Sequence, residues 1–251
     1  MTADLFESFA ALHVPGTPLI LFNAWDAGSA GAVAKAGAKA IATGSASVAM
    51  ANGYGDGEAL PMAAALANAR RIVEAVDLPV TVDFEGGYAV APEAVARNVT
   101  ALAETDAVGC NFEDQLVGGE GLYSVDEQAA RIAAVRSAAG PAFFINARTD
   151  IFLKAPGAEH DAAKLDAAID RARAYADAGA SGFFVPGLID LALLERVVAS
   201  SPLPVNVMWK LGVPDTAALA GVGVARISHG PFPYLAAMAG LEAAARAAMG
   251  D

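Results

Sequence analysis

Two short clusters of acids, Asp83 with Glu85 and Glu113 with Asp114, each follow directly on a run of apolar residues. Four like charges gathered at neighbouring strand ends would repel one another unless something neutralised them. A hard divalent cation with oxygen ligands would do so. Mg²⁺, which keeps several waters and needs few carboxylates, suits such a set, with Mn²⁺ as the alternative. The plainer alternative is a group of solvated loop acids. Against it, strand alternation puts Gly109, Asn111 and Glu113 on one face and turns Cys110 toward the helices.

Arg148 ends another apolar run in Asn146-Ala147-Arg148-Thr149-Asp150. A guanidinium there can clamp a substrate carboxylate through two parallel hydrogen bonds, or can pair structurally with one of the acids. The turn Gly44-Ser45-Ala46 is small enough for backbone N–H groups to approach a substrate oxygen. His229, after the last apolar run, is a candidate pocket residue and proton donor. His13 and His160 read as surface or loop residues, and Cys110 as a packed thiol. The segment Gly53-Tyr54-Gly55-Asp56-Gly57 is neither G-x-G-x-x-G nor a P-loop, so it is not a nucleotide site.

These residues need elements to hold them. Short runs apolar on both faces fall at 19–23, 39–43, 80–83, 107–112, 142–147, 182–185, 204–208 and 224–227, which suits a parallel sheet covered by helices. Helices are predicted between them. One over 92–104 has proline in its first turn. One over 124–138 has the capping-box spacing Ser124 to Glu127. One over 161–178 stops at Gly179. Eight strands and eight helices predict a (β/α)8 barrel as a single domain over residues 1–251, with a doubly wound open sheet as the alternative. In a barrel the reactive groups stand where strands end and βα loops begin.

Composition agrees. Hydrophobic residues make up 55% of the 251 residues and charged residues 18%, enough for a large core. The net charge of −12 argues against nucleic acid and anionic membranes as partners. A single cysteine excludes an internal disulfide framework. No basic and apolar leader and no uninterrupted membrane-length run is present, so a cytoplasmic location is expected.

The motifs resemble a known superfamily. Asn23-Ala24-Trp25-Asp26 with Ala30, and Ala40-Ile41-Ala42-Thr43-Gly44-Ser45, are similar to the opening of the isocitrate lyase/phosphoenolpyruvate mutase group. Asp83-Phe84-Glu85-Gly86-Gly87-Tyr88 resembles its D-x-D-x-G-[YF] metal motif. Phe112-Glu113-Asp114-Gln115 resembles its I-E-D-[QK] motif, and Asn146-Ala147-Arg148-Thr149 its A-R-T-[DE] motif. The likeness runs from about residue 19 to residue 238. It implies Asp83 as direct metal ligand, with Glu85, Glu113 and Asp56 holding the ion through waters. It implies Trp25 and the Gly44, Ser45 and Ala46 backbone around a substrate carboxylate or enolate oxygen, and Arg148 as the clamp. It also implies a homo-oligomer, dimer or tetramer, in which many relatives exchange the eighth helix.

The departures narrow the chemistry. Lyases of the group carry a K-[KR]-C-G-H lid after the E-D-Q motif, where this chain has Leu116-Val117-Gly118-Gly119-Glu120-Gly121, a glycine-rich loop able to bend over a pocket. Phosphonate-handling members carry a Lys-Thr/Ser-Asn type lid, which is missing too. Glu85 replaces an aspartate. A metal, a clamp and an enolate cradle without a strong acid/base suffice for decarboxylating a small 2-oxo diacid such as oxaloacetate. Protonation would come from water or His229. Cleavage of a 2-hydroxy diacid would need a further base, Glu120 or His229. A phosphonate mutase or hydrolase and a 2-oxo acid binder without turnover are the competing expectations.

Overall fold

A strand of a few residues, apolar on both faces, persists only when both faces are covered. The structure, a computed structural model describing residues 2–250, meets that need with a barrel wrapped in helices. Its strands are β1 (Leu19–Leu21), β2 (Ile41–Ala42), β3 (Val80–Asp83), β4 (Gly109–Glu113), β5 (Phe144–Arg148), β6 (Gly182–Phe184), β7 (Val205–Met208) and β8 (Arg226–Ser228). All pair in parallel, in the order β1-β8-β7-β6-β5-β4-β3-β2. The seam between β1 and β2 is closed by a single bridge, Ala24 with Thr43, where Ala24 N–H donates to Ala42 O at 2.8 Å. All eight predicted strands are found, most a residue or two shorter or shifted.

The helices are α1 (Thr2–Ala11), α2 (Ala27–Lys35), α3 (Ser45–Ala51), α4 (Met62–Glu74), α5 (Pro92–Ala103), α6 (Val125–Ala139), α7 (Ala162–Asp177), α8 (Leu191–Ser200), α9 (Thr216–Gly221) and α10 (Phe232–Met249). Two exceed the predicted eight: α1 precedes the first strand, and α3 shares the β2 crossover with α4. Local chemistry sets several ends. Ser124 caps α6 with its reciprocal bond to Glu127, and Asp161 caps α7 by accepting from Lys164 N–H. Gly179, at φ +96°, ends the α7 segment. No helix among the described residues is long and apolar enough to cross a membrane.

Alternation along the strands divides the side chains. Val82, Cys110, Phe112, Ile145, Ala147 and Phe183 pack outward against the helices in the main core. Inward residues form layers. The lowest is apolar: Phe9 of α1 plugs it against Leu19, Leu21, Ala42, Val108 and Phe144. His13 belongs to this plug rather than to the surface. It stacks on Phe144 at 4.3 Å, and burial pushes its imidazole down to about 3, so it is a neutral core residue. Above the plug lies a polar layer of Asn111, Asn146, Asn206 and Arg226, all buried. The strand ends above it form the mouth.

Candidate active site

Asp83 closes β3 with its N–H donating to Thr43 Oγ1 at 2.9 Å, which fixes the backbone where the strand meets the mouth. Its Oδ2 accepts the Ser45 N–H at 3.2 Å, and its Oδ1 is buried with no hydrogen-bond partner. Gly44 caps α3 and brings that amide in. A Cβ on Gly44 would stand 3.3 Å from Gly230 O, so the two loops meet closely here and a side chain would press them apart.

The loop after Asp83 folds back tightly. Glu85, Tyr88 and Glu58 have φ of +51°, +55° and +58°, unusual for residues with side chains. Hydrogen bonds hold the strain: Glu58 N–H donates to Glu85 Oε2 at 2.7 Å and Tyr88 N–H to Glu58 Oε1 at 2.7 Å. Gly87, at φ +79°, must lack a Cβ, which would fall 2.9 Å from Val95. Burial pushes the Glu85 carboxyl up to about 7, with the charge of Asp83 reinforcing it. Glu58 escapes a reading of the sequence alone. Its only signal there is a place two residues after Asp56.

Arg148 ends β5. Its Nη1 lies 2.8 Å from Glu113 Oε2, its Nε 2.6 Å from Asp150 Oδ1 and its Nη2 2.9 Å from Asp150 Oδ2. Burial works against the guanidinium charge, yet Glu113, Asp150 and Asp83 together hold its pKa above the ordinary value. Burial pushes the Glu113 carboxyl up; Arg148 opposes this, and Asp150 and Asp83 add to it. Glu113 also accepts a short hydrogen bond from Gln115 Nε2. Asp114 does not join the acids. It turns away from the mouth, accepting Arg171 Nη1 at 3.0 Å, Tyr175 Oη at 2.8 Å and Asp150 N–H at 3.0 Å, and so braces the β4 and β5 ends.

Between these groups lies a cavity of about 620 Å³, open to solvent, lined among others by Asn23, Ser45, Asp56, Asp83, Asn111 and Arg148. Gly44 and Ala46 line it as expected, and Asp56 is an exposed part of its wall. Glu85 and Glu113 lie beyond the lining. Among the described residues, no three His, Cys, Asp or Glu side chains converge as a ligand set for an ion. The four expected acids are therefore not a direct coordination cage. A buried, unpartnered Asp83 Oδ1 beside other carboxylates does fit Mg²⁺, which takes one protein oxygen and keeps its waters.

Two expected residues stand elsewhere. The His229 ring stacks on Trp209 at 5.5 Å and leans on Phe22 at 5.2 Å, in an apolar groove outside the mouth; burial lowers its pKa. Trp25 packs against Val48 and Leu60 and meets Tyr234 edge-on at 5.2 Å, also outside the cavity lining. A near neighbour of Trp25 reaches the cavity in its place: Asn23 Oδ1 accepts His229 N–H at 2.8 Å and Gly230 N–H at 2.9 Å, fixing that loop at the cavity edge. The family resemblance singles out Trp25 in the sequence, and a place just after the last strand singles out His229. Neither signal by itself says on which side of the strand end the side chain lies.

The phosphoenolpyruvate phosphomutase family model matches residues 9–249. The chain belongs to the isocitrate lyase/phosphoenolpyruvate mutase superfamily. A Burkholderia cenocepacia J2315 structure provisionally described as a phosphonomutase is 53% identical, with a TM-score of 0.95 and all of both chains covered. The 2-methylisocitrate lyase of Salmonella typhimurium LT2 is 32% identical over 80% of this chain and 69% of its own length. The oxaloacetate decarboxylase of Pseudomonas paraeruginosa PA7 is 32% identical over 68% of this chain and 59% of its own.

The segment after β4 folds back on itself. Gln115 and Leu122 form an antiparallel bridge, and Leu116 N–H donates to Gly121 O at 3.1 Å, so residues 116–121 make a compact hairpin. No residue of 116–121, including the exposed Glu120, lines the cavity. Leu153, from the segment after β5, does.

Proposed function

We propose that the chain is a divalent-metal-dependent carbon–carbon lyase that decarboxylates a small 2-oxo diacid of the oxaloacetate type through an enolate. The observation that carries this reading is the chemistry of the cavity wall. It sets Asp83, with a free carboxylate oxygen, beside the Ser45 backbone and two strands from Arg148, and its lining includes no Cys, His or Lys. Asp83 would hold the metal, with Asp56, Glu85 and Glu113 behind it as acceptors for its waters. Bound there, the metal supplies Lewis-acid stabilisation of negative charge growing on a substrate oxygen.

The chain's own groups do the rest. Arg148, already fixed by two carboxylates, holds the substrate carboxylate at constant orientation. The Ala46 amide, at the start of α3, would meet a developing oxyanion, while the Ser45 amide, donated to Asp83 Oδ2, holds that carboxylate in place. Loss of CO₂ yields the enolate without prior removal of a proton, so no strong base is needed. With the His229 ring outside the cavity, water is the proton donor. Cleavage of 2-methylisocitrate would have to proceed without general acid/base help, typically worth about 10²- to 10⁴-fold.

Phosphonate P–C chemistry is the second reading, favoured by the likeness to the Burkholderia structure. One assay separates the readings: purified protein with Mg²⁺ on oxaloacetate, 2-methylisocitrate and phosphonopyruvate, following pyruvate, phosphate and phosphoenolpyruvate and subtracting the metal-only rate. Oxaloacetate turnover alone is expected. Phosphate release from phosphonopyruvate, or its conversion to phosphoenolpyruvate, would favour the second reading, and pyruvate from the tricarboxylate would overturn the first. Binding of 2-oxo acids without turnover of any would mark a binding protein. We further propose that the chain works as a homo-oligomer, dimer or tetramer, in the cytoplasm. The apolar residues Ile20, Phe22, Leu235 and Leu241, exposed on β1, the residue beyond it and α10, support the assembly.

A further inference from the structure

Beneath the cavity, the polar layer contains a cation whose bonds all go to neutral groups. Arg226 has none of its surface exposed. Its Nε lies 3.3 Å from Ser228 Oγ, its Nη2 donates to Asn111 Oδ1 at 3.0 Å, and its Nη1 is buried without a partner. Stripping water from a guanidinium is costly when no carboxylate bonds to it, and here the charge of Asp83, acting without a hydrogen bond, offsets only part of that cost. Such a residue is hard to explain by stability, and what it does to its neighbour offers another reason.

Arginine has donors and no acceptor, so the Asn111 atom it meets must be the oxygen. A second donor agrees with that orientation: Asn146 Nδ2 reaches the same oxygen at 2.8 Å while also donating to Asn206 Oδ1 at 3.0 Å. With Oδ1 held by two donors of its own layer, the Asn111 amide nitrogen is turned away from both. Asn111 is only 4% exposed yet lines the cavity, and its Nδ2 has no hydrogen-bond partner among the described residues. It stands in register with Asp83 on β3, and β4 lies between the strands of Asp83 and Arg148.

We propose that Asn111 Nδ2 is a substrate-binding donor to an oxygen of an anionic substrate, and that Arg226 is the positioning residue that keeps this donor turned into the cavity. The class of that substrate, a 2-oxo acid, rests on the function proposed above. An amide whose oxygen is bound to a cation is a stronger donor through its nitrogen, because hydrogen-bonded groups polarise one another in a low-dielectric interior. Burial lowers Arg226 to about 9, so it stays charged at neutral pH and the polarisation persists. The expected consequence is selection for an oxyanion over a hydroxyl or an amine at the cavity floor.

The test uses oxalate with Mg²⁺ as probe, measured by titration calorimetry on the full chain, with thermal melting beside it. Asn111→Asp keeps the shape, gives Arg226 a carboxylate partner and removes the donor. Melting should hold or rise while oxalate affinity falls roughly 10- to 100-fold, as for a lost bond to a charged group. A purely structural role would move both quantities together. Arg226→Met should weaken oxalate several-fold by freeing the amide to turn over, and Arg226→Lys, which keeps a donor, should restore most of it. If wild type binds oxalate and Asn111→Asp binds it equally well, the inference falls alone. If wild type with Mg²⁺ fails to bind oxalate, the proposed function falls and this inference with it.

Discussion

Asp150 grips the Arg148 guanidinium along one edge, Oδ1 to Nε at 2.6 Å and Oδ2 to Nη2 at 2.9 Å, while Glu113 meets Nη1 at 2.8 Å. These bonds leave donors for a substrate, held in a plane that cannot swing. Arg148→Lys should therefore not act conservatively. One ammonium cannot satisfy both carboxylates and also present a fork. We expect oxalate affinity to drop about 10-fold or more, at roughly 1.5 to 3 kcal/mol for a charge-assisted contact. Asp150→Asn should give part of that loss. Unchanged inhibition by oxalate in Arg148→Lys would confine Arg148 to structure.

Asp83→Ala should separate binding from folding. The Asp83 carboxylate accepts a hydrogen bond from Ser45 and adds to the repulsion that raises Glu85. Removing it should abolish Mg²⁺ binding and turnover while metal-free melting stays level or rises. Calorimetry with Mg²⁺ checks the first part, and a variant that still binds the ion as tightly would displace the metal from this position.

Metal-free stability should depend on pH through Glu85. Above its ordinary value of 4.5 the unfolded chain releases this proton, whereas the folded chain keeps it to about 7. Across that window the folded state binds more protons, so stability falls as pH rises, by up to about 1.4 kcal/mol per pH unit. Glu113, also raised, adds to this decline and the lowered His13 opposes it, so the check is a difference: in chelator, melting of wild type relative to Glu85→Gln should fall from mildly acidic to neutral pH. Because a cation competes with the proton, Mg²⁺ should raise melting more above this window than within it. An identical slope in Glu85→Gln would remove Glu85 as the cause.

His229→Ala should leave the decarboxylation rate within about 2-fold of wild type, since general acid help would be worth far more. The ring's contacts are with Trp209 and Phe22, so its loss should lower melting instead. Turnover slowed by two orders of magnitude or more would return His229 to the chemistry.

The barrel is legible in the sequence because its strands are short, doubly apolar and evenly spaced, and because Asp83, Glu113 and Arg148 each end one. Alternation correctly puts Asn111 and Glu113 inside and Cys110 outside. Carried one residue further, the same alternation corrects the placing of Asp114 and His229 in the mouth. Asp114 follows Glu113, His229 follows Ser228, and each turns to the other side and serves packing. Arg226 gives no signal at all, since a basic residue in an apolar run looks like a surface group until its neighbours across the barrel are known. The segment 116–121 reads as a bending cover because glycines permit many conformations. The bridge that pins its base joins Gln115 to Leu122, a pairing no local pattern announces.

The seam between the first two staves lies beside the cradle that the chemistry uses. Backbone bonding across it comes to the Ala24–Thr43 bridge, and one side chain supplements it: Asn23 donates Nδ2 to Thr43 O at 2.7 Å while holding the His229–Gly230 turn with its oxygen. Asn23 is thus a rivet through β8, β1 and β2 at the very edge where Gly44 and Ser45 begin. A ring opens first at its thinnest joint. The Ala24 amide should accordingly exchange with deuterium sooner than its counterparts between β4 and β5, and the cavity should breathe sideways along this joint, widening between Asn23 and Ser45 while the paired walls under Asp83 and Arg148 stay shut.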